Sequence, residues 1–188
     1  MLKVKPKKCR QCGKMFTPTY STTQICCSPL CAMSYSKDKE TKVKAKEWAK
    51  EKKERKEAIM THSEWLKLLQ VTFNTFIRTR DAEENCISCQ RPLKGRKFDA
   101  GHFRSVGGNP QLRFNEENCF GQCVPCNRDK HGHLLEYRKQ LVIKLGVEKV
   151  EWLENFNESS KLSIPEIKEK IQYYKNKIKE IKNGNSER

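Results

Sequence analysis

The chain has 188 residues, 36 % of them hydrophobic and 33 % charged, proportions that exclude one large core and favour small modules held together by other means. Its 39 Lys and Arg against 23 Asp and Glu leave a formal net charge of +16, which points to a polyanionic partner with nucleic acid as the leading candidate. No apolar run approaches the roughly 18–20 residues needed to span a bilayer, so no membrane partner is expected. The basic start, Met1 to Lys8, lacks the apolar stretch of a secretion signal. A cytoplasmic location with reduced thiols follows as an expectation, and there ten cysteines suit metal better than disulfides.

Residues 1–36 read as an N-terminal zinc-binding module. Cys9, Cys12, Cys27 and Cys31 give the spacing C-x2-C-x14-C-x3-C, which suits four thiolates on one zinc. Cys26 can substitute for Cys27, and Cys27 is the preferred ligand. Residues 37–60 form a charged linker dominated by Lys and Glu. Glu51 with Arg55 and Lys50 with Glu54 sit at i,i+4 and support a solvated helix, but apolar residues are too sparse for a core face, so helix and disordered linker both remain open. A third segment spans residues 61–158. Thr61 followed by Glu64 predicts a capped helix, with Trp65, Leu69, Phe73, Phe76 and Ile77 on one face. Arg78 and Arg80 close it, either touching phosphate or simply favouring the helix C-terminus. Further on, Leu134–Leu145 predicts a helix stopped by Gly146, and a short helix follows around residues 147–156. Residues 159–188 read as a C-terminal basic helix opened by Ser163 and Glu166. Its seam of Ile167, Ile171, Tyr174, Ile178 and Ile181 suits packing on the chain's own helices or a homodimer equally well.

The chemistry concentrates between Cys86 and Lys130. Cys86/Cys89 and Cys123/Cys126 form two C-x2-C pairs, a second structural zinc site; Cys119 is a less well spaced substitute for Cys123. Residues 97–103 read as a strand leading into a loop, with Asn127 at the start of a helix, so that the zinc clamps His102 and Asn127 about a shared gap. Phosphodiester hydrolysis needs a base for water, which a histidine supplies, and a divalent Mg2+ or Mn2+ on the phosphate and the departing oxygen. Such an ion takes oxygen ligands, which Asp99 and Asn127 carry. Asn118 can bond loop backbone and orient the histidine strand. His131 lies four residues after Asn127 and would share its helix face as a further ligand. Arg104, Arg113, Arg128 and Lys130 surround the proposed site as DNA contacts.

Four segments carry a resemblance: Cys86-Ile87-Ser88-Cys89, Asp99-Ala100-Gly101-His102-Phe103, residues 110–115 (PQLRFN) and Gln122-Cys123-Val124-Pro125-Cys126-Asn127. Together they resemble the His-Asn-His (ββα-metal) nucleases of four-cysteine zinc type, and within them the phage NinG/Rap recombination endonucleases. The likeness extends to Cys27-Ser28-Pro29-Leu30-Cys31, Phe76-Ile77-Arg78 and Tyr137-Arg138. It implies a small α+β fold with a zinc-stabilised ββα-metal core flanked by helices. It also implies His102 as general base, Asn118 as a structural residue and Asn127 as ligand of the catalytic metal. Branched DNA (Holliday junctions, D-loops) as substrate, other recombination proteins as partners and the host-cell cytoplasm as location follow from the resemblance alone. In many relatives of the wider fold an Asp precedes the base; here Gly101 stands there, and Asp99 is the nearest carboxylate. The competing expectations are a non-catalytic zinc-containing DNA-binding protein and a protein-interaction scaffold.

Overall fold

The computed structural model describes residues 5–158 and 161–184, divided into two compact units, Met1–Met60 and Thr61–Arg188. Among the described residues no helix is long and apolar enough to cross a membrane.

The first unit opens with a minimal antiparallel pair, β1 (Lys7–Lys8) and β2 (Met15–Phe16). Gly13 between them has φ +74, the left-handed turn that a Cβ would strain. Helix α1 runs from Pro29 to Ala58. It starts inside the cysteine module, where Ser28 accepts from the Cys31 N–H and Pro29 occupies the first turn. Thirty residues at 1.5 Å each make a rod of about 45 Å, and none of them is buried. The charged linker is therefore helical, carried by i,i+4 pairs such as Lys44–Glu40 and Arg55–Glu51 rather than by packing.

In the second unit, α2 (His62–Arg80) begins with the expected box: Thr61 accepts from the Glu64 N–H while Glu64 reaches back to the Thr61 N–H. Its apolar stripe packs against α5 (Ile164–Gly184), where Tyr174 meets Phe73 and Phe76, each at 5.1 Å between ring centroids. Ile167, Ile171 and Tyr174 of the C-terminal seam are thereby buried within the chain. Strands β3 (Phe98–His102) and β4 (Cys119–Cys123) pair antiparallel, placing His102 opposite Cys119 and Asp99 opposite Gln122. α3 (Leu134–Leu145) and α4 (Val147–Asn155) cover the pair through a core of Phe103, Leu112, Phe120, Tyr137, Leu141 and Leu153. Among the described residues the chain is a small α+β fold with two two-stranded sheets.

Arg80 serves the fold here. It donates to the Cys119 carbonyl at 2.9 Å and grips Asp81, whose other contact is the Gly121 N–H at 2.7 Å. The end of α2 is thus clipped to β4, because two buried strand groups need partners that only side chains can reach.

One glycine is dictated by this packing. A Cβ on Gly101 would lie 2.2 Å from Gln122 Oε1, and Gln122 is pinned by donation to Ser88 Oγ at 2.7 Å and to the Gly132 carbonyl at 2.6 Å. Gly101→Ala is expected to destabilise the unit by about 1–3 kcal/mol, read as a lowered urea midpoint. A midpoint equal to the parent's would show that Gln122 gives way freely.

Candidate functional site

The two cysteine groups form as their spacing suggests. The sulphurs of Cys9, Cys12, Cys27 and Cys31, and those of Cys86, Cys89, Cys123 and Cys126, each lie within 4.8 Å of one another. Cys12–Cys27, Cys27–Cys31 and Cys89–Cys123 are 3.6 Å apart. Tetrahedral zinc with bonds near 2.3 Å sets its sulphurs about 3.8 Å apart, so both groups fit the ion. Backbone N–H groups support them: Cys27 N–H points at Cys9 Sγ and Cys123 N–H at Cys86 Sγ, both at 3.4 Å. Such N–H groups, that of Cys12 foremost, hold the Cys9 thiol down to about 6, whereas hydrogen bonding with the sulphurs of Cys12 and Cys31 pushes Cys27 up to about 12. The sulphurs share protons that a bound zinc displaces. Cys26 and Cys119 lie buried outside these groups.

Beyond Cys123 the chain makes a single π turn, Pro125–Asp129, closed by Lys130 N–H to the Pro125 carbonyl at 3.0 Å. This differs from the expected α-helix. His131, Gly132 and His133 all adopt positive φ (+48, +87 and +46), and the Gly132 N–H turns back onto the carbonyls of Cys126 and Asn127. The helical path ends there, and α3 starts only at Leu134. His131 therefore does not share a helix face with Asn127. His133 places Nδ1 3.7 Å from Cys126 Sγ, the distance of an outer partner that steadies a zinc ligand.

Asn127 meets Asp99. Its Nδ2 donates to Asp99 Oδ2 at 3.1 Å, and the Arg128 guanidinium forks onto both carboxylate oxygens at 2.8 and 2.9 Å. The Arg128 hydrogen bonds, set against partial burial and helped by Asn127, hold the Asp99 carboxyl below the usual range. Residues 99 and 101 share one face of β3, so the carboxylate leaves the strand on the face of Gly101, two residues earlier. Gln122 fills the space a side chain at 101 would take.

His102 has the opposite parity and faces α2, 6.1 Å from the Phe73 ring. Its Nε2 lies 2.9 Å from the Arg113 carbonyl and its Nδ1 3.7 Å from Cys119 Sγ. A carbonyl only accepts, so Nε2 carries the proton and Nδ1 the lone pair, which lies against the Cys119 thiol. Burial lowers the His102 pKa, against the opposing effect of the Arg113 carbonyl, and the ring stays neutral. The structure brings Asp99, Asn127 and Arg128 together; the polar contacts of His102 go elsewhere.

Asn118 is fully buried. It accepts from the Arg104 N–H at 2.8 Å and donates to the carbonyls of Arg104 and Leu112, both at 3.1 Å. One side chain thus ties both ends of the loop that follows His102. Asn118→Ala strands all three groups and is expected to cost about 2–4 kcal/mol, measured by urea unfolding. A loss below about 0.5 kcal/mol, the range of ordinary surface substitutions, would show that the loop is held by other means.

The four expected DNA contacts differ in availability. Arg128 is committed to Asp99, Arg113 donates to Gln70 Oε1, and Arg104 is half-buried with Nε unpartnered. Lys130 is exposed. Arg91, Arg96 and Lys97, which the sequence did not single out, rim a cleft of about 330 Å³ beside Cys123 and Pro125.

These features define a class: a basic protein with two four-cysteine knuckles, the second of which joins a strand pair to the turn that carries Asn127. The chain belongs to the bacteriophage lambda NinG family, whose sequence profile, described as "Bacteriophage Lambda NinG protein", matches residues 1–185. It is 36 % identical to "Protein ninG" of Escherichia phage lambda over 203 residues, covering 100 % of this chain and 98 % of that one. The corresponding protein of Escherichia phage 933W is 36 % identical over 200 residues, covering 100 % and 99 %. That of Salmonella phage P22 is 34 % identical over 203 residues, again 100 % and 99 %. No solved structure matches the chain.

Proposed function

We propose that the chain is a structure-specific DNA endonuclease of phage recombination, of the His-Asn-His type. It would nick branched DNA such as Holliday junctions and D-loops by metal-dependent phosphodiester hydrolysis. The observation that supports this best is the meeting of Asp99 and Asn127 at 3.1 Å, from a strand and a turn joined through the second cysteine group. Asp99 and Asn127 each carry an oxygen of the kind a hard divalent ion takes; binding one would require the Asn127 amide, which now donates through its nitrogen, to turn and the Arg128 guanidinium to leave Asp99. Asp99 and Asn127 would hold a divalent ion such as Mg2+ or Mn2+, which would supply Lewis-acid chemistry at the phosphate and the departing oxygen. To act as the general base, His102 would have to turn from its Cys119 contact and take the proton of the attacking water, whose oxygen bonds to phosphorus as the P–O3′ bond breaks. The products are a 5′-phosphate and a 3′-hydroxyl. Asn118 holds the loop that carries the histidine's hydrogen-bond partner, and Lys130, which is exposed, contacts the backbone.

A labelled four-way junction and a linear duplex, each with and without Mg2+ or Mn2+, test the reading. Metal-dependent nicking that favours the junction is expected. Binding without cutting under either metal would leave the second reading, a non-catalytic zinc-containing DNA-binding protein. One observation favours that alternative: both ring nitrogens of His102 are engaged inside the fold, as in a histidine that serves only packing.

A further inference from the structure

Helix α1 carries ten Lys and Arg, and their pairing is uneven along its surface. Lys44, Lys50, Lys53 and Arg55 each sit in an i,i+4 ion pair with a glutamate, and Lys52 lies over the Trp48 ring at 5.2 Å. The face that bears Lys44, Trp48, Lys50 and Glu54 is accordingly of mixed charge. Lys39, Lys42 and Lys46 have no acidic partner among the described residues. Their spacing of three and four puts them on one face, and with Arg10 of the cysteine knuckle they line a groove of about 490 Å³. Asp38 is the one carboxylate in that groove, and it is occupied by the Gln11 amide at 2.9 Å. Tyr35 at the knuckle end has its hydroxyl 3.5 Å from Arg10.

We infer that this groove is a second nucleic-acid contact, independent of the strand–turn site, which grips the phosphodiester backbone without reading bases. Four cations against one carboxylate, Asp38, leave a net positive local field in the groove among the described residues. Lys39, Lys42 and Lys46 rise about 10 Å along the helix, a row matched to successive charges of a continuous strand rather than to one isolated anion. The cysteine knuckle fixes Arg10 at one end, and the rigid helix fixes the lysines. This surface binds whether or not the second unit cuts; only the choice of DNA as the polyanion rests on the proposed function.

The test compares two triple variants of the full chain that lose the same charge. One is Lys39→Gln/Lys42→Gln/Lys46→Gln in the groove; the other is Lys44→Gln/Lys50→Gln/Lys53→Gln outside it. Affinity for a fluorescent four-way junction is followed by anisotropy across a salt series, with zinc content measured in parallel. Each lost phosphate contact removes about 0.9 from the slope of log affinity against log salt, so the groove triple should lose roughly 2–3 slope units. Its affinity should fall at least tenfold on the order of that counterion release at 0.1 M salt, while the other triple stays close to the parent. If the groove triple loses zinc, the single Lys42→Gln variant replaces it, with a slope change of about one. Equal losses in both triples, or none in the groove triple while the parent binds, overturn the inference. A parent that binds no DNA at any salt overturns the proposed function as well.

Discussion

Junction cleavage by the His102→Gln protein is expected to fall by about 10²–10⁴-fold, the usual worth of a positioned general base, with junction affinity little changed. Glutamine is the informative replacement because its amide can still donate to the Arg113 carbonyl, which receives the His102 Nε2 proton at 2.9 Å. It keeps the packing role and removes the base. A variant that is as stable as the parent and cuts as fast would make His102 a core histidine and sink the catalytic assignment. The pH profile gives a second reading. Burial holds the His102 pKa below its ordinary value of 6.5, so the neutral ring persists to lower pH than in a free histidine. The acid limb of the cleavage rate should therefore lie below pH 6.5. Stability follows the same sign. The unfolded chain takes up the proton first as pH falls, so the contribution of the neutral ring is present above the unfolded pKa. It is lost as pH descends from there through the folded value. Urea titrations should show this extra acid loss in the parent and not in His102→Gln.

The sequence discloses best what obeys local or one-dimensional rules. The cysteine groups follow from spacing, including the preference for Cys27 over Cys26 and Cys123 over Cys119, since a chelate must close over a fixed number of bonds. Helix α2 follows from its capping box and its stripe of Trp65, Leu69, Phe73, Phe76 and Ile77. Helix α1 did not follow, because with no apolar face its charged residues allow a helix without requiring one. The turn after Cys126 was less legible still. Asn127 and His131 have helical spacing, but left-handed backbone at His131 and His133 and the return of the Gly132 N–H end the turn first. Arg80 and Gln122 were missed as structural residues because their partners, the Cys119 and Gly132 carbonyls, are distant or non-periodic in sequence. The meeting of Asp99 with Arg128 is a tertiary fact of the same kind. Strand parity separating Asp99 from His102 could have been read from the chain, had the strand's two faces been assigned to different neighbours.

Removal of one zinc ligand should act differently in the two units. Cys126 is buried, packs with Cys86 and Leu93, and immediately precedes Asn127. It sits where the two-stranded sheet meets the π turn, a segment with few regular hydrogen bonds of its own to hold its shape. Structural zinc is worth about 10–16 kcal/mol in isolated knuckles, the largest single stabilising effect at this site. Cys126→Ser is therefore expected to lower zinc content by one ion per chain, to lower the melting temperature of the second unit, and to remove cleavage with it. Cys31→Ser should also lose one zinc, yet leave that melt in place, because the first cysteine group lies within a separate compact unit. Cys119→Ser should keep both ions, its sulphur lying outside either group. Atomic absorption paired with circular dichroism melting reads all three variants. Two zinc ions retained in Cys126→Ser, or none bound by the parent, would show that these sulphurs are buried thiols and that the hydrophobic clusters alone hold the fold.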